Sequence, residues 1–489
     1  MYFVRKRIWM FDHLQHLESE ARVLELSADQ RHHLTREAVA YTERFYENCP
    51  RRPIYQYTDD MGAGILTSPI SPGPIDIDEA LHLLHRYVDS PGLNAAAPGD
   101  LAYIPAGGLY PAALGDYLSA VINLYTGIFA VAPGAVRLEN MLLRWMGELV
   151  GYPADAAGNL TTGGSIANLT SVVTARDAHS LKPKDYARSV VYVSGERHHS
   201  IDKALRIAGF TEVVMREIGM DATYHMRPDV LAAQIDADQK AGLNPWLAVA
   251  NAGATNTGAV DPLTEIGQVA HDRGLWFHVD GAYGAFFTLC EPGRERLRGI
   301  ERSDSVIMDP HKSLFLPWGS GAVLIKDRRT MVASHHYSPS YLQDVEGGEE
   351  LSPSDLSPEL TRNFRGLRLW LPLKLFGTRP FAAALEEKML LARYFRARLC
   401  EMAGFEVGPE PDLSVVLWRY VPARGDADAF NTQLVEAIKR DGRVFLSSTR
   451  IDGVFWIRLA ALAYHTHKDT IDLAIDVICE RVAAALEAG

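Results

Sequence analysis

Two residues between Trp276 and Ser313 have the types and the setting for chemistry. The apolar run Trp276-Phe277-His278-Val279 ends in Asp280-Gly281-Ala282-Tyr283, and Ser305-Val306-Ile307-Met308 leads into Asp309-Pro310-His311-Lys312-Ser313. One buried-looking strand therefore delivers a carboxylate at its end, and a second is followed by a lysine directly after a histidine. A lysine ε-amine can bond covalently to a carbonyl carbon, and a carboxylate can keep a heteroaromatic ring nitrogen protonated, which makes the ring an electron sink. Taken singly, an Asp at a strand end is an ordinary cap, and a Lys beside a His is an ordinary solvated charge. Their order and their neighbours favour the chemical reading.

A third feature lies upstream. The stretch Gly158-Asn159-Leu160-Thr161-Thr162-Gly163-Gly164-Ser165-Ile166-Ala167-Asn168 reads as strand, glycine turn and helix start. Glycines let backbone amides approach an anion, and a helix N-terminus adds partial positive charge. Gly164 and Ser165 thus make a candidate phosphate cradle, although the same residues also serve as plain turn and N-cap residues. Lysine, strand-end acid and phosphate cradle together are what a pyridoxal phosphate enzyme of the aminotransferase-like fold requires.

The elements that must position these groups alternate. Apolar, β-branched runs at 189–194, 212–215, 246–252, 276–280, 305–308 and 321–325 read as strands, with amphipathic helices at 202–207, 230–240 and 264–273 between them. This pattern predicts an α/β fold with a mostly parallel sheet covered by helices on both faces. Ligands of such sheets gather at the carboxyl ends of the strands. Asp280, the segment carrying Lys312, and the loops after Ser194 and Ala252 all lie at that edge. The first loop carries Arg197-His198-His199-Ser200, an imidazole pair that either faces a cofactor ring or sits on the surface. The second carries Thr255, whose hydroxyl either meets a ring oxygen or caps a helix.

Ahead of the sheet, residues 14–50 read as helices, 51–75 as an extended arm and 75–89 as another helix. Such an arm either packs on its own domain or wraps a second subunit, and the second is favoured because its apolar faces have little sheet to cover. The aromatic, Gly- and Pro-containing segment around Tyr103 and Ile104 is a candidate pocket wall or a surface turn, and Phe129 and Pro133 belong to a loop between helices at 112–124 and 137–150. Residues 334–361 read as a long polar loop of the kind used as a lid, with Tyr341 inside it. A long helix from about 380 to 404 then opens a small α+β region. The expected domains are 1–99, 100–377 and 378–489.

Composition excludes several classes. The chain has 489 residues, with 49 Lys and Arg against 61 Asp and Glu, a formal charge of -12. That balance disfavours nucleic acid as a partner. Cys49, Cys290, Cys400 and Cys479 are scattered, with neither metal-ligand nor disulfide-framework spacing, which suits a reducing cytoplasm. The basic N-terminus is followed by too short an apolar run for a signal peptide, and no uninterrupted run is long enough to cross a bilayer.

His278-Val279-Asp280-Gly281-Ala282-Tyr283 with Asp309-Pro310-His311-Lys312 resembles the group II pyridoxal-dependent decarboxylases, a family that includes the aromatic L-amino acid, glutamate, histidine and tyrosine decarboxylases. The resemblance covers nearly the whole chain and implies fold type I, with pyridoxal 5'-phosphate as cofactor. It implies that Lys312 carries the cofactor covalently, that Asp280 pairs with the pyridine nitrogen and that Ala282 packs against the ring. It further implies that His199 stacks on the other face, that Gly164 and Ser165 bind the phosphate with His311 close by, and that Thr255 lies near the ring. Tyr341, in Ser338-Pro339-Ser340-Tyr341-Leu342, matches the family's loop tyrosine, which returns a proton to the α-carbon. Family members are dimers, so the N-terminal arm would wrap the partner and the loop with Phe129 and Pro133 would complete the neighbour's pocket. Three positions depart from many relatives: Asp309 where Asn is common, Ser313 where an aromatic is common, and Ala97-Pro98 near the place of a His-Pro pair.

The expected reaction is α-decarboxylation of an L-amino acid to the amine and carbon dioxide. Tyr103, Ile104, Phe129 and Pro133 point to an aromatic or apolar side chain, with branched aliphatic amino acids or methionine as the alternative. An oxygen-dependent aldehyde synthase and a cofactor-free regulator are the competing readings; the presence of Tyr341 and His199 disfavours the first, and that of Lys312, Asp280, His199 and Tyr341 the second.

Overall fold

The computed structural model describes residues 2–337 and 350–488. The chain divides into two compact units, residues 1–94 and 95–489.

The first unit holds helices α1 (Tyr2–Ala21), α2 (Ala28–Asn48) and α3 (Ile77–Leu84). Ser27 opens α2 with a reciprocal cap: its Oγ accepts from the Gln30 amide at 3.2 Å, and the Ser27 amide donates to Gln30 Oε1 at 2.8 Å. Asp76 caps α3 by accepting from the Glu79 amide at 2.8 Å. The stretch expected as one extended arm is more structured. Strand β1 (Tyr55–Gln56) pairs antiparallel with β2 (Gly92–Leu93), and residues 63–67 make a 3₁₀ turn after Gly62, whose φ of +85° needs a residue without Cβ.

In the second unit α4 (Tyr110–Ile122) and α5 (Pro133–Leu149) precede a seven-stranded sheet. Its chain order is β3 (Ala157–Thr161), α6 (Gly164–Ala178), β4 (Ser189–Ser194), α7 (Ser200–Ile207), β5 (Val214–Ile218), α8 (Pro228–Lys240), β6 (Asn244–Asn251), α9 (Leu263–Asp272) and β7 (Trp276–Asp280). It continues through α10 (Glu291–Arg296), β8 (Ser305–Met308), the single turn α11 (Pro310–Ser313), β9 (Gly321–Ile325) and α12 (Arg328–His335). The spatial order is β3-β9-β8-β7-β6-β4-β5. Only β9 runs against its neighbours, so the sheet is mostly parallel, as the alternation predicts. Both faces are buried. Val191, Val193, Leu247 and Val249 join one core cluster, while the intervening Val190, Tyr192, Ala248 and Ala250 join the other. This is why these strands read as continuous apolar runs rather than alternating ones.

After α13 (Gly366–Phe376) and α14 (Arg379–Cys400) come β10 (Phe405–Val407), β11 (Val415–Tyr420), α15 (Ala427–Asp441), β12 (Ser447–Ile451), β13 (Val454–Ala460) and α16 (Lys468–Ala488). The four strands form an antiparallel sheet ordered β10-β11-β13-β12, around a third core with Trp418, Phe395, Ile438 and Ile478 at its centre. This region is not a separate unit from residues 100–377. The backbone explains the union: the Leu101 amide donates to the Phe445 carbonyl at 3.0 Å, and the amides of Phe445 and Ala460 donate to Gly99 and Leu101 at 2.9 and 2.8 Å.

One buried ion pair anchors the start of α13. Glu139 Oε1 accepts from the Arg365 and Gly366 amides at 2.8 and 3.0 Å, and Oε2 lies 2.9 Å from Arg362 Nη2. Burial pushes the Glu139 carboxyl up and the Arg362 guanidinium down, each against the pull of the other. Substituting Glu139→Leu strands a buried guanidinium and two amides, so it is expected to cost about 3–5 kcal/mol and to lower the thermal midpoint measurably.

Candidate active site

The register of the parallel strands sets the floor of the site. Asn251 of β6, Asp280 of β7 and Ile307 of β8 are direct Cα partners at the carboxyl ends of their strands. All three line a cavity of about 370 Å³. Around them stand Gly163, Gly164 and Ser165 from the turn into α6, His198 and Ser200 at the start of α7, Thr255 after β6, Ala282 after β7, and Asp309, His311 and Lys312 at α11.

The structure therefore brings Lys312, Asp280, Ala282, Gly164, Ser165, Thr255 and His311 together at one cavity. It does not bring His199 there. The histidine on the cavity is His198, half-buried, while His199 is exposed and lies against it at 4.1 Å between ring centroids. The reason is the start of α7: Ile201, Ala204 and Leu205 turn into the core, which sets Ser200 and His198 towards the sheet edge and His199 outwards. The cavity walls also lack Tyr103, Ile104, Phe129 and Pro133. Ile104 is buried in the main core rather than on a pocket wall, Tyr103 and Pro133 are exposed, and the Phe129 ring lies under the Arg137 guanidinium at 5.0 Å. Tyr341 falls outside the described residues.

A chain of hydrogen bonds fixes Asp280 from below. Trp276 Nε1 donates to Ser305 Oγ at 2.8 Å, and because Asn168 Oδ1 can only accept from His278 Nε2, the neutral ring leaves Nδ1 to accept the Ser305 hydrogen at 2.8 Å. The His278 proton then sits on Nε2 and is donated to Asn168 Oδ1 at 2.8 Å. The Asn168 amide donates to Asp280 Oδ2 at 3.1 Å and to Ser200 Oγ at 2.8 Å. Ser200 passes its own hydrogen to His198 Nδ1 at 2.7 Å, which leaves the His198 proton on Nε2. The other Asp280 oxygen accepts from the Ala282 amide at 3.2 Å. Complete burial pushes His278 down to about 4 despite the nearby Asp280 charge, so it is a neutral link. Burial also holds His198 below its ordinary value, against the pull of Asp280.

The residues fit a phosphorylated pyridine aldehyde. The first two amides of α6, Gly164 and Ser165, have no carbonyl a turn earlier in the helix to bond, and they border the cavity. Gly163 sits at a φ of +153°, and a Cβ on Gly164 would lie 2.9 Å from Asp309 Oδ2, so neither side chain is tolerated in the cradle. Lys312 Nζ is 3.1 Å from Asp309 Oδ2, and His311 Nδ1 is tied to the Ser320 carbonyl at 2.5 Å. Ser313 donates its hydroxyl to the Tyr283 carbonyl, a use that an aromatic at this position could not supply. Among the described residues there is no cluster of three metal-ligating side chains and no helix long and apolar enough to cross a membrane.

Two participants were not singled out by sequence. Asn168 lies four residues after Gly164, hence on the same face of α6, and that spacing was the available signal. Arg458 interrupts the apolar run of β13. It is buried, and its guanidinium donates to the Asn256 carbonyl at 2.7 Å, Ser447 Oγ at 2.8 Å, the Tyr103 carbonyl at 3.3 Å and the Thr255 carbonyl. Desolvation pushes it down to about 10, and it ties the Tyr103 segment to the Thr255 loop.

Fold and site together define a pyridoxal phosphate enzyme of fold type I. Residues 85–421 match the Pyridoxal-dependent decarboxylase conserved domain. The aromatic-L-amino-acid decarboxylase of Bacillus atrophaeus is 32% identical over 94% of this chain and 98% of its own length, and a phenylacetaldehyde synthase of Arabidopsis thaliana is 29% identical over 80% and 83%. The crystal structure of Oryza sativa TDC with PLP and tryptamine superposes with a TM-score of 0.89 at 25% identity, covering 94% of this chain and 99% of that one. The chain belongs to the pyridoxal-dependent decarboxylase family, and it is a pyridoxal phosphate-dependent carboxy-lyase.

The site makes two sharp expectations. Between pH 6.5 and about 4 an unfolded histidine binds a proton that folded His278 refuses, so stability falls as pH drops through that window. The loss amounts to about 3 kcal/mol at 1.36 kcal/mol per pH unit. His278→Gln, which can accept from Ser305 and donate to Asn168, is expected to flatten the fall in thermal midpoint over that range. Separately, His198→Ala is expected to lower turnover about a hundredfold while His199→Ala changes it less than about threefold, read from steady-state kinetics of the two variants.

Proposed function

We propose that this enzyme removes the α-carboxylate of an L-amino acid with an aromatic side chain, releasing the amine and carbon dioxide. The observation that carries this reading is the convergence of Lys312, Asp280, His198 and the Gly164–Ser165 cradle on one cavity, in a chain 32% identical to an aromatic-L-amino-acid decarboxylase along nearly its full length.

Pyridoxal phosphate, when bound, supplies the electron sink that receives the pair left by the broken bond to the carboxylate. The chain's residues do the rest. Gly164 and Ser165 hold the phosphate through the α6 amides. Asp280, clamped by Asn168 and the Ala282 amide, presents a carboxylate to the ring nitrogen and keeps a proton there. Lys312 Nζ is the covalent anchor. His198, neutral and with its proton fixed on Nε2, offers a donor on the cavity side. Tyr341 is assigned, on the family resemblance, to return the proton to the α-carbon. Thr255 and His311 line the cavity that would hold the ring.

A homodimer is part of the reading. In the first unit α1 exposes Trp9, Met10, Phe11 and Leu14, and in the second α4 exposes Tyr117, Leu118, Val121 and Ile122. Exposed apolar stripes of this kind are normally covered by a partner, and a second copy is the partner proposed. The scattered thiols agree with a cytoplasmic setting.

Amine, carbon dioxide, aldehyde and hydrogen peroxide should be measured across the proteinogenic amino acids. Tryptophan, tyrosine or phenylalanine is expected to yield amine and carbon dioxide in equal amounts with little peroxide. Lys312→Ala is expected to lower that yield by about a thousandfold or more. Aldehyde with stoichiometric peroxide as the main product would replace this reading with an oxidative one, and turnover confined to branched aliphatic residues or methionine would replace the substrate class.

A further inference from the structure

Tyr103 holds a backbone conformation that its side chain disfavours. Its φ of +54° lies in the left-handed region, and a bulky residue stays there only when its surroundings hold it. The flanking chain is anchored on both sides. The Leu101 carbonyl accepts from the Ala460 amide at 2.8 Å, and the Ala106 carbonyl accepts from the Tyr464 amide at 3.4 Å. Between these anchors the amide and the carbonyl of Tyr103 are both bonded. The amide donates to Ser447 Oγ at 3.2 Å, and the carbonyl accepts from Arg458 Nη2 at 3.3 Å. Arg458 Nη1 also donates to Ser447 Oγ, at 2.8 Å, so the two holders are themselves joined.

Arg458 is an expensive group to use as scaffolding. It is 3% exposed, and among the described residues no carboxylate pairs with it, Glu196 acting on it through space. A buried cation bonded to neutral oxygens alone is weakly compensated for its lost hydration. Its acceptors show what the charge holds. The planar fork reaches the Asn256 carbonyl from Nε, Ser447 from Nη1, and the Tyr103 and Thr255 carbonyls from the single nitrogen Nη2. Thr255 lines the cavity, so one nitrogen keeps the strained turn beside a cavity wall. The Thr255 loop also closes on itself: the Gly258 amide donates to the Ala254 carbonyl, and the Ala254 amide to the Ala259 carbonyl, both at 2.8 Å. The Tyr103 turn, rather than that loop, therefore depends on the guanidinium.

We propose that Arg458 is a positioning residue for the amino-acid substrate: by holding the strained Tyr103 turn against Thr255, it fixes one wall of the substrate's path into the cavity. The Tyr103 ring is 60% exposed, with the Phe445 ring tilted against it at 6.1 Å. An exposed aromatic face next to a cavity suits an apolar or aromatic side chain. The groups assigned to the cofactor stand elsewhere. None of the four acceptors of Arg458 belongs to the Lys312 turn, to β7 or to α6. Loosening the Tyr103 turn therefore acts on the substrate and leaves the cofactor in place.

The proposal rests on the decarboxylase reading and is tested on the full-length holoenzyme. Arg458→Lys keeps the charge, but its single ammonium cannot reach all four acceptors. Ser447→Ala removes the hydroxyl shared by Arg458 and the Tyr103 amide. Arg458→Lys is expected to raise KM for the best aromatic amino acid about tenfold or more while kcat falls less than about threefold, the pattern of lost uniform binding. The bound-cofactor absorbance is expected to stay at the parent level. Ser447→Ala is expected to raise KM about threefold. In both variants chymotryptic cleavage after Tyr103, located by mass spectrometry, is expected to speed up about tenfold. Parental KM in every folded variant overturns the proposal. So does a KM rise without faster cleavage after Tyr103, and so does a fall in kcat or cofactor absorbance at unchanged KM, which would place Arg458 on the cofactor side. Where Arg458→Lys does not fold, Ser447→Ala is judged by the same outcomes. A parent that converts no aromatic amino acid overturns the substrate class proposed above instead, and the KM comparison is then made with the amino acid it does convert.

Discussion

The hydrogen bond from the Asn168 amide to Asp280 joins the two halves of the site. Asn168 belongs to α6, whose first turn is the phosphate cradle, and Asp280 ends β7, the middle strand of the sheet. One cofactor would carry both the phosphate and the pyridine nitrogen, so the distance between cradle and acid has to be held for both contacts to be made at once. Asn168 holds it with one side chain. Its carbonyl is pinned by neutral His278, and its second amide hydrogen orients Ser200 and through it His198. From Trp276 through Ser305, His278 and Asn168 to Asp280 each donor meets an acceptor, which lets a polar network sit in a core without the cost of unpaired groups.

The sheet makes this possible by supplying depth. Asn251, Asp280 and Ile307 are level with one another across three parallel strands, and Asn251 is held by Ser194 of the next strand at 2.9 Å. A row of strand ends buried on both faces cannot drift in register without exposing one face of each strand. Asp280 therefore keeps its position because the apolar residues before it have nowhere else to go.

Much of this was legible in the sequence, for physical reasons that differ by residue. Parallel strands buried on both sides appear as unbroken β-branched runs, so 189–194 and 321–325 were bounded to the residue, and the carboxyl edge of the sheet followed from the pattern alone. Lys312 and Asp280 fell at that edge, and Gly164 was read from a glycine turn ahead of a helix. His198 and His199 did not separate, because adjacent residues in a loop carry no period, and only the burial of Ile201 and Leu205 on α7 decides which imidazole turns inward. The small C-terminal sheet was seen, but its union with the large one was not, since the bonds between Gly99, Leu101, Phe445 and Ala460 join positions far apart in sequence. Arg458 was hidden for the same reason: besides its hairpin neighbour Ser447, its partners at Tyr103 and at Thr255 and Asn256 come from two distant segments.

The cavity also shows how labour is divided in this fold. Most residues that line the cavity stand on or beside strand ends, at the first turns of α6 and α7, and on α11. Two of the residues expected to face the substrate come from loops: Tyr103 in an exposed turn with φ +54° and Phe129 before α5. A change in such a loop leaves the Trp276–Ser305–His278–Asn168–Asp280 chain untouched, because no member of that chain lies in one. Such a change can alter what the loops contact while the buried chain that holds Asp280 stays as it is. Arg458 is the exception that marks the boundary. It is a buried cation bonded at once to the Tyr103 and Thr255 carbonyls, so it ties the turn at Tyr103 to the loop at the sheet edge.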